Sequence, residues 1–181
     1  LFPLENTVGG LNMDGMNNVG ATRDITVIGL GMSDLDDYLA AAAAAQERVL
    51  AGDRAAEKGY YYRSDHFELA KQGVPMLYPW AGYDNREKGV AYGMEKANEY
   101  TNDHYHRVSD EYDLSWDVSG ALEDMEMYFR TGLDVANGDA WPNWKPSRRP
   151  SRRISCGSCT RSAARPGSPG TTRLLATRPV S

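Results

Sequence analysis

Three short segments of the chain carry carboxylates, imidazoles and hydroxyls in patterns that a packed fold does not require. They are Asn12-Met13-Asp14-Gly15, Arg63-Ser64-Asp65-His66-Phe67 and Tyr105-His106-Arg107-Val108-Ser109-Asp110-Glu111. Aspartate and histidine are ligands suited to zinc. Each residue also has an ordinary interpretation, since Asp14 could form a turn, His66 could pack or cap a helix, and His106 could lie at the surface. Metal chemistry is therefore a hypothesis that the context of the segments must decide.

The first segment lies at the end of a predicted strand of an open sheet. Residues 7–14 predict a short strand that ends at Asp14, and the β-branched run within residues 24–30 predicts a buried strand. A helix is predicted over residues 34–50, with Ser33 as its N-cap and an apolar side that includes Val49 and Leu50. Open α/β sheets bind ligands at the carboxyl ends of their strands, which is where Asp14 is predicted to lie.

Three further elements follow the second strand and helix. Residues 65–72 predict a helix that Gly73 closes, and residues 74–80 predict the next strand. The last predicted helix covers residues 116–137, and its predicted core face consists of Val118, Leu122, Met125, Phe129, Leu133 and Ala136. This alternation predicts an α/β fold of three layers, in which a mainly parallel but mixed sheet is flanked by helices.

Charge divides the chain of 181 residues near Pro146. Residues 1–146 contain 12 basic and all 25 acidic residues, a net charge of −13, whereas residues 147–181 contain eight arginines and no acid. We predict one acidic domain over residues 1–146 and a disordered Arg/Ser/Pro/Gly-rich tail over residues 147–181. No apolar run approaches the roughly 18 residues of a membrane span, so none is predicted.

The tail has three interpretations. An arginine-rich tail can bind nucleic acid, a segment of this composition can simply be disordered, and GC-rich codons read out of frame give the same mixture. We favour the out-of-frame interpretation and expect no nucleic-acid partner. Cys156 and Cys159 form a C-x-x-C pair with no second pair to complete a zinc site, so we expect no function for them.

The three segments stand in an order and a context that resemble one family of enzymes. Residues 11–29, 61–75 and 100–121 resemble the di-zinc aminopeptidases and glutamate carboxypeptidase-like enzymes of peptidase family M28. The Ser-Asp-His-Phe block at residues 64–67 and the Tyr-His…Asp-Glu block at residues 105–111 carry the resemblance most specifically. It covers residues 1–146 in one collinear order and implies the C-terminal part of a zinc exopeptidase-like fold.

The resemblance implies roles for individual residues. Asp14 corresponds to a carboxylate ligand of one zinc ion, His106 to the terminal histidine ligand of the other, and Tyr105 to a hydrogen-bond donor for the oxyanion. Asp65 and His66 correspond to residues that shape the substrate pocket. Asp110 follows His106 by four residues, and we infer that it orients the imidazole.

In such enzymes the resemblance implies two zinc ions, roughly 3.5–4 Å apart, that hold a water between them. A glutamate removes the proton of that water, and the hydroxide attacks a peptide carbonyl. Specificity for a peptide end arises because the site also engages the free terminus of the substrate.

The resemblance also implies ligands that this chain does not hold. The family uses an upstream histidine, a bridging aspartate two residues later and a pair of adjacent glutamates. The 13 residues before Asp14 contain neither His nor Asp, and no Glu-Glu pair occurs in the chain. We therefore expect a fragment of a zinc exopeptidase, with an aminopeptidase favoured, that is inactive alone and binds at most one zinc ion weakly.

The missing N-terminal half of the domain is the expected partner, besides a peptide substrate. Apolar surface that this half would cover should be exposed, so we expect poor solubility or partial order. Export to the periplasm or the exterior is an expectation from the family alone.

Two other functions remain open. A non-catalytic binding module on the same fold would have no need of Asp14, Tyr105 and His106. A nucleotide-binding domain is suggested by Gly29-Leu30-Gly31 between a strand and a helix, but aspartates at the start of the helix would repel a phosphate.

Overall fold

The computed structural model describes residues 3–146, which belong to one compact unit. The predicted tail over residues 147–181, with Cys156 and Cys159, lies outside the described residues.

The centre of the fold is a four-stranded mixed sheet. Its strands are β1 (Gly10–Leu11), β2 (Asp24–Ile28), β3 (Val49–Gly52) and β4 (Met76–Trp80), in the order β1-β4-β2-β3. β1 runs parallel to β4, β2 runs parallel to β3, and β2 and β4 are antiparallel. Every residue of β2 is buried, as expected for a central strand rich in Ile, Val and Thr.

The described residues form four α-helices, α1 (Leu35–Ala45), α2 (His66–Lys71), α3 (Gly89–Glu99) and α4 (Ser119–Asn137), and of these α1 and α2 pack directly on strands. Short 3₁₀ turns occur at Leu4–Asn6, Ala56–Lys58 and Tyr60–Tyr62, and a π-helical turn at Tyr100–His104 continues directly from α3. A mixed sheet flanked by helices confirms the predicted α/β fold class. Among residues 3–146, no helix is both long and apolar enough to cross a bilayer.

The hydrophobic core lies between the sheet and the α1–α4 pair. Ile25 and Val27 of β2, Leu39 of α1, Leu77 of β4 and Met127 of α4 are all at most 2% exposed and pack in one cluster. Burial of such side chains contributes roughly 1.5–3 kcal/mol each, before the entropy of ordering them is subtracted.

The predicted strands exist but are shorter than expected. The strand predicted over residues 7–14 is reduced to Gly10–Leu11, although the Asn12 amide still donates to the Leu77 carbonyl at 2.8 Å. The strand over residues 24–30 ends at Ile28, because Gly29 turns away with φ +85°. The segment over residues 74–80 forms its ladder from Met76 onward.

The helix predicted over residues 34–50 is wrong at its end. α1 stops at Ala45, Glu47 adopts a positive φ of 58°, and Val49 begins β3 alongside Asp24. Pairing with the otherwise unpaired edge of β2 overrides the apolar periodicity that placed Val49 and Leu50 on the predicted helix. At the other end, the N-cap residue is Asp34 and not the predicted Ser33, although the Ser33 hydroxyl accepts a hydrogen bond from the Leu35 amide at 3.3 Å.

The predicted core face of the last helix is also wrong. Leu122, Met125, Phe129 and Leu133 of α4 are 61%, 53%, 70% and 43% exposed. The buried side of α4 instead consists of Gly120, Ala121, Asp124, Met127 and Thr131. The buried side therefore combines small and apolar residues with Asp124 and Thr131, and the buried carboxylate of Asp124 requires a partner.

Arg48 supplies the principal partner on that inner side. Its guanidinium is fully buried and meets the Asp124 carboxylate at 2.7 Å. It also donates to the Thr22 hydroxyl and to the Asp24 carbonyl, each at 2.9 Å. Burial raises the pKa of Asp124, and the positive charge of Arg48 opposes that rise. Arg48 lies between the end of α1 and the start of β3. The ion pair therefore connects this junction, and the start of β2, to α4.

α3 was absent from the sequence-based prediction. It lies largely at the surface, and Gly93 is its only buried residue. A helix that buries so little has no apolar periodicity to reveal it, and only its helix-forming residues, such as Ala91, Met94 and Lys96, could have indicated it.

Candidate active site

The Asp14 carboxylate is held by two hydroxyl groups at the carboxyl end of β1. Its Oδ2 accepts one hydrogen bond from the Ser64 hydroxyl at 2.8 Å and another from the Tyr78 hydroxyl at 2.7 Å. The Asn12 side-chain amide donates to the same Ser64 oxygen at 2.9 Å. Within the described residues, the other carboxylate oxygen, Oδ1, accepts no hydrogen bond, so this cluster orients Asp14 and leaves one oxygen available.

Two features of the chain bring these groups together. The parallel pairing of Leu11 with Leu77 places the residues after β1 beside Tyr78 on β4. Ser64 stands at the turn before α2, and α2 leads directly into β4. Asp14 itself is exposed, whereas Tyr78 is 2% exposed. The cluster thus has a buried donor and a surface acceptor, which is an arrangement that aims a carboxylate outward.

His66 lies beneath this cluster rather than in an open pocket. It is 1% exposed, and its ring centroid is 4.7 Å from those of Tyr61 and Tyr78. Neither ring nitrogen has a hydrogen-bond partner among the described residues. Burial lowers the pKa of His66, while the carboxylates of Asp14 and Asp65 oppose that effect. His66 is therefore neutral near pH 7 and packs as an aromatic ring.

Asp65, predicted with His66 to shape a substrate pocket, is the N-cap residue of α2. Its side chain makes no capping hydrogen bond and is exposed. Its negative charge lies close enough to affect the His66 pKa.

Tyr105 and His106 lie together at the end of the π-helical turn. Their rings stack with centroids 3.9 Å apart, and both residues are exposed. His106 has φ +59°, a left-handed conformation that is uncommon outside glycine and marks a constrained turn. The Tyr105 hydroxyl contributes to the raised pKa of Tyr78, after burial of Tyr78 and its bond to Asp14. Tyr105 is therefore within electrostatic range of the Asp14 cluster.

Asp110 makes its hydrogen bond elsewhere than on His106. Its Oδ2 accepts from the Tyr100 hydroxyl at 3.0 Å. Both residues line a cleft of about 990 Å³ between α3 and the segment that leads into α4. Neither Asp14 nor His66 contributes to this cleft.

The described residues do not fit a pair of metal ions. No three His, Cys, Asp or Glu side chains within residues 3–146 are grouped so that they could hold one ion. The Asp14 cluster supplies one carboxylate, and its nearest histidine, His66, is sealed between two tyrosines. A structural zinc site requires four protein ligands and a catalytic one three, so this cluster is too small.

Ser64 and Tyr78 were not singled out from the sequence. Ser64 belongs to a segment that was recognised, but its role depends on the approach of β1, about 50 residues earlier in the chain. Tyr78 reads as an ordinary strand residue, since tyrosine is frequent in strands. A tyrosine in a buried strand does need a partner for its hydroxyl, and that was the available signal.

Comparison with known proteins assigns the chain by its sequence. Neither a search of curated proteins nor a search of solved structures found a match. The model of Peptidase family M28 matches residues 2–129, which is most of the chain and includes every candidate site residue. The protein therefore belongs to Peptidase family M28, a family of metallopeptidases.

Proposed function

We propose that this chain supplies part of the active site of a zinc-dependent exopeptidase, with an aminopeptidase favoured, and that it is inactive alone. Family membership supports a peptide hydrolase. The orientation of Asp14 by Ser64 and Tyr78 is the observation that carries the proposal, because two hydroxyls on one oxygen fix the direction of an exposed carboxylate, as hydrogen bonds to metal-ligating carboxylates do.

The shortage of ligands supports inactivity. A single oriented carboxylate does not activate water for peptide hydrolysis, and residues 3–146 hold no group of three ligands. We propose that the remaining ligands belong to a segment of the same domain encoded upstream of Leu1.

Reading the gene on both sides of this frame is the first test. We expect an upstream His-x-Asp and an adjacent Glu-Glu in the same frame. The same experiment tests whether a one-base slip near the codon of Ser147 produced the arginine-rich segment. An upstream sequence without those ligands would contradict the proposal.

Activity assays complete the test. The 181-residue chain should not hydrolyse an aminoacyl anilide or a dipeptide above the rate of a blank. The protein with its upstream segment should hydrolyse one of them, and Asp14→Asn or His106→Gln should abolish that activity, whereas the control Asp134→Asn should not. Chelator-sensitive turnover by the 181-residue chain itself would overturn the proposal of inactivity.

The alternative is a non-catalytic binding module on the same fold. The lack of a three-ligand group within residues 3–146 is compatible with it. If the longer protein binds peptides but Asp14→Asn leaves every activity unchanged, the binding module becomes the better interpretation.

A further inference from the structure

The last turn of α4 is weakly held. Asn137 is the final residue of the helix, and every residue from 136 to 141 is exposed. Gly138 follows with an extended backbone, φ −78° and ψ 147°, and its amide donates to the Val135 carbonyl at 3.4 Å. α4 therefore ends without the left-handed glycine that commonly caps the last carbonyl groups of a helix.

Charge weakens the same turn. Asp134 lies in the last turn of α4, Asp139 follows shortly after the helix, and the last turn contains no basic residue. The carboxyl end of a helix carries partial negative charge, so it favours cations and disfavours carboxylates. Opening of this turn therefore costs less free energy than opening of the central turns, where Met127 and Thr131 are buried.

Asn137 and Gly138 form the only Asn-Gly pair in the chain. Asparagine is a thermolabile residue, because its side-chain carbonyl carbon can react with the amide nitrogen of the residue that follows it. Glycine has no Cβ, so it lets that nitrogen approach the side chain more freely than any other residue does. A regular helix holds the two groups apart, and an opened last turn lets them meet.

The reaction of this pair needs only water. The Gly138 nitrogen attacks Cγ of Asn137, the new N–C bond closes a cyclic imide, and ammonia leaves with the amide proton of Gly138. Water then opens the imide. Cleavage between the nitrogen and Cγ gives aspartate. Cleavage between the nitrogen and the backbone carbonyl carbon gives isoaspartate, in which the backbone runs through the side chain and gains a methylene group.

A firmly bonded segment follows this junction. We call residues 141–145 the C-terminal strap. The Lys145 amide donates to the Met32 carbonyl at 2.7 Å, and the Trp144 indole donates to the Gly73 carbonyl at 3.1 Å. Since the strap is fixed to the loop after β2 and to the turn before β4, a change in the backbone at the junction falls on the last turn of α4.

We propose that Asn137 is a site of spontaneous deamidation, and that its products loosen the last turn of α4 where it leads into the C-terminal strap. Both products place a further carboxylate at the negative end of the helix, and isoaspartate also lengthens the backbone there. This modification is independent of the proposed peptidase function.

Peptide mapping by mass spectrometry tests the site. The 181-residue chain is incubated at physiological temperature and mildly alkaline pH, and conversion is followed at every asparagine. Asn137 should convert faster than Asn98 and Asn102, which are also exposed but precede Glu99 and Asp103. Labelling with an isoaspartyl methyltransferase should mark the same peptide. Conversion at Asn137 that is no faster than at these two controls would overturn the proposal.

Two comparisons separate the contribution of the glycine from that of the helix end. Gly138→Ala should reduce conversion at Asn137 to the level of Asn98 and Asn102. In the wild-type chain, the rate at Asn137 in native buffer should stay within about tenfold of its rate in urea, because frayed helix ends open at little cost in free energy. Stronger suppression in native buffer would show that the turn is firmly held, and the proposal would be wrong.

Asn137→Asp tests the consequence, since it supplies the charge without the extra methylene group. Hydrogen exchange at the amides of residues 134–138 should be faster in this variant than in the wild-type chain. Asn102→Asp adds the same charge at an exposed position outside α4 and should leave those amides unchanged. Unchanged exchange in Asn137→Asp would contradict the proposed loosening of the helix end.

Discussion

The two regions that carry the candidate site residues differ in how they are held. Around Asp14, the hydroxyls of Ser64 and Tyr78 both donate to the carboxylate, and the buried ring of His66 packs against the ring of Tyr78. In the segment from Tyr100 to Trp116, nearly every residue is exposed, and its side-chain hydrogen bonds run within the segment, except that of Thr101 to the Ala97 carbonyl. The comparison shows that one half of the site is built into the core of the fold and the other half is a surface loop. Substitutions should therefore affect stability strongly near the core and hardly at all in the loop.

The buried ion pair beneath α4 should give the largest effect. Asp124→Ala leaves the guanidinium of Arg48 buried without its counter-charge, and we expect a loss of about 3–5 kcal/mol in the free energy of unfolding. Urea denaturation measures it, with the exposed Asp134→Ala as the control. The double variant Arg48→Met/Asp124→Leu should recover much of the loss, because it removes both charges. If the double variant is as unstable as Asp124→Ala, the loss of stability comes from altered packing and not from the unpaired charge of Arg48.

The hydroxyls that hold Asp14 should give an intermediate effect. Tyr78→Phe removes a donor that is buried and bonded to a carboxylate, so we expect a loss of about 1–2 kcal/mol in the free energy of unfolding. Tyr112→Phe, an exposed tyrosine in the loop, is the matched control and should change the free energy by less than about 0.5 kcal/mol. If Tyr78→Phe and Tyr112→Phe change the free energy of unfolding equally, the two regions do not differ in how firmly their side chains are held.

His66 should give the core region a dependence on pH. Because burial lowers its pKa in the folded chain, the unfolded chain binds the proton more readily. Its contribution to stability is complete above the ordinary histidine pKa of about 6.5 and is lost as the pH falls below that value. Urea denaturation from about pH 8 to pH 5 should show this slope, and His66→Phe should flatten it.

The loop should give the smallest effect. Tyr105→Phe and His106→Asn should each alter the free energy of unfolding by less than about 0.5 kcal/mol, since both residues are exposed. Hydrogen exchange provides an independent measure, with amides of residues 105–117 exchanging much faster than those of β2 and β4. Slow exchange in the loop would mean that it is held as firmly as the core.

Prediction from sequence succeeded where the signal was local. The sequence correctly predicted a strand from the β-branched run of β2, the end of α2 at Gly73, and the position of Asp14 after a strand. It failed where two elements compete for the same residues. Val49 and Leu50 suit either the helix or the strand, and only the free edge of β2 assigns them to β3.

For the candidate site, the sequence likewise predicted the residues that lie in local motifs but not the contacts between distant segments. Asp14, Tyr105 and His106 could be named because their segments match a family pattern, whereas the contacts of Asp14 could not. Ser64 and Tyr78 lie 50 and 64 residues away along the chain, and no local pattern encodes that approach. Asp110 was expected to serve His106, but its oxygen is occupied by Tyr100.

The sequence by itself determined the fold class, the family and the residue types available for chemistry, because periodicity and motif order are local properties of the chain. Only the tertiary structure decided which face of α4 is buried. The predicted apolar stripe of the helix is exposed, and the side that carries Asp124 lies inward, where the guanidinium of Arg48 supplies a counter-charge for the buried carboxylate. An amphipathic pattern shows that a helix has two faces, but the partners that satisfy its polar groups decide which face turns inward.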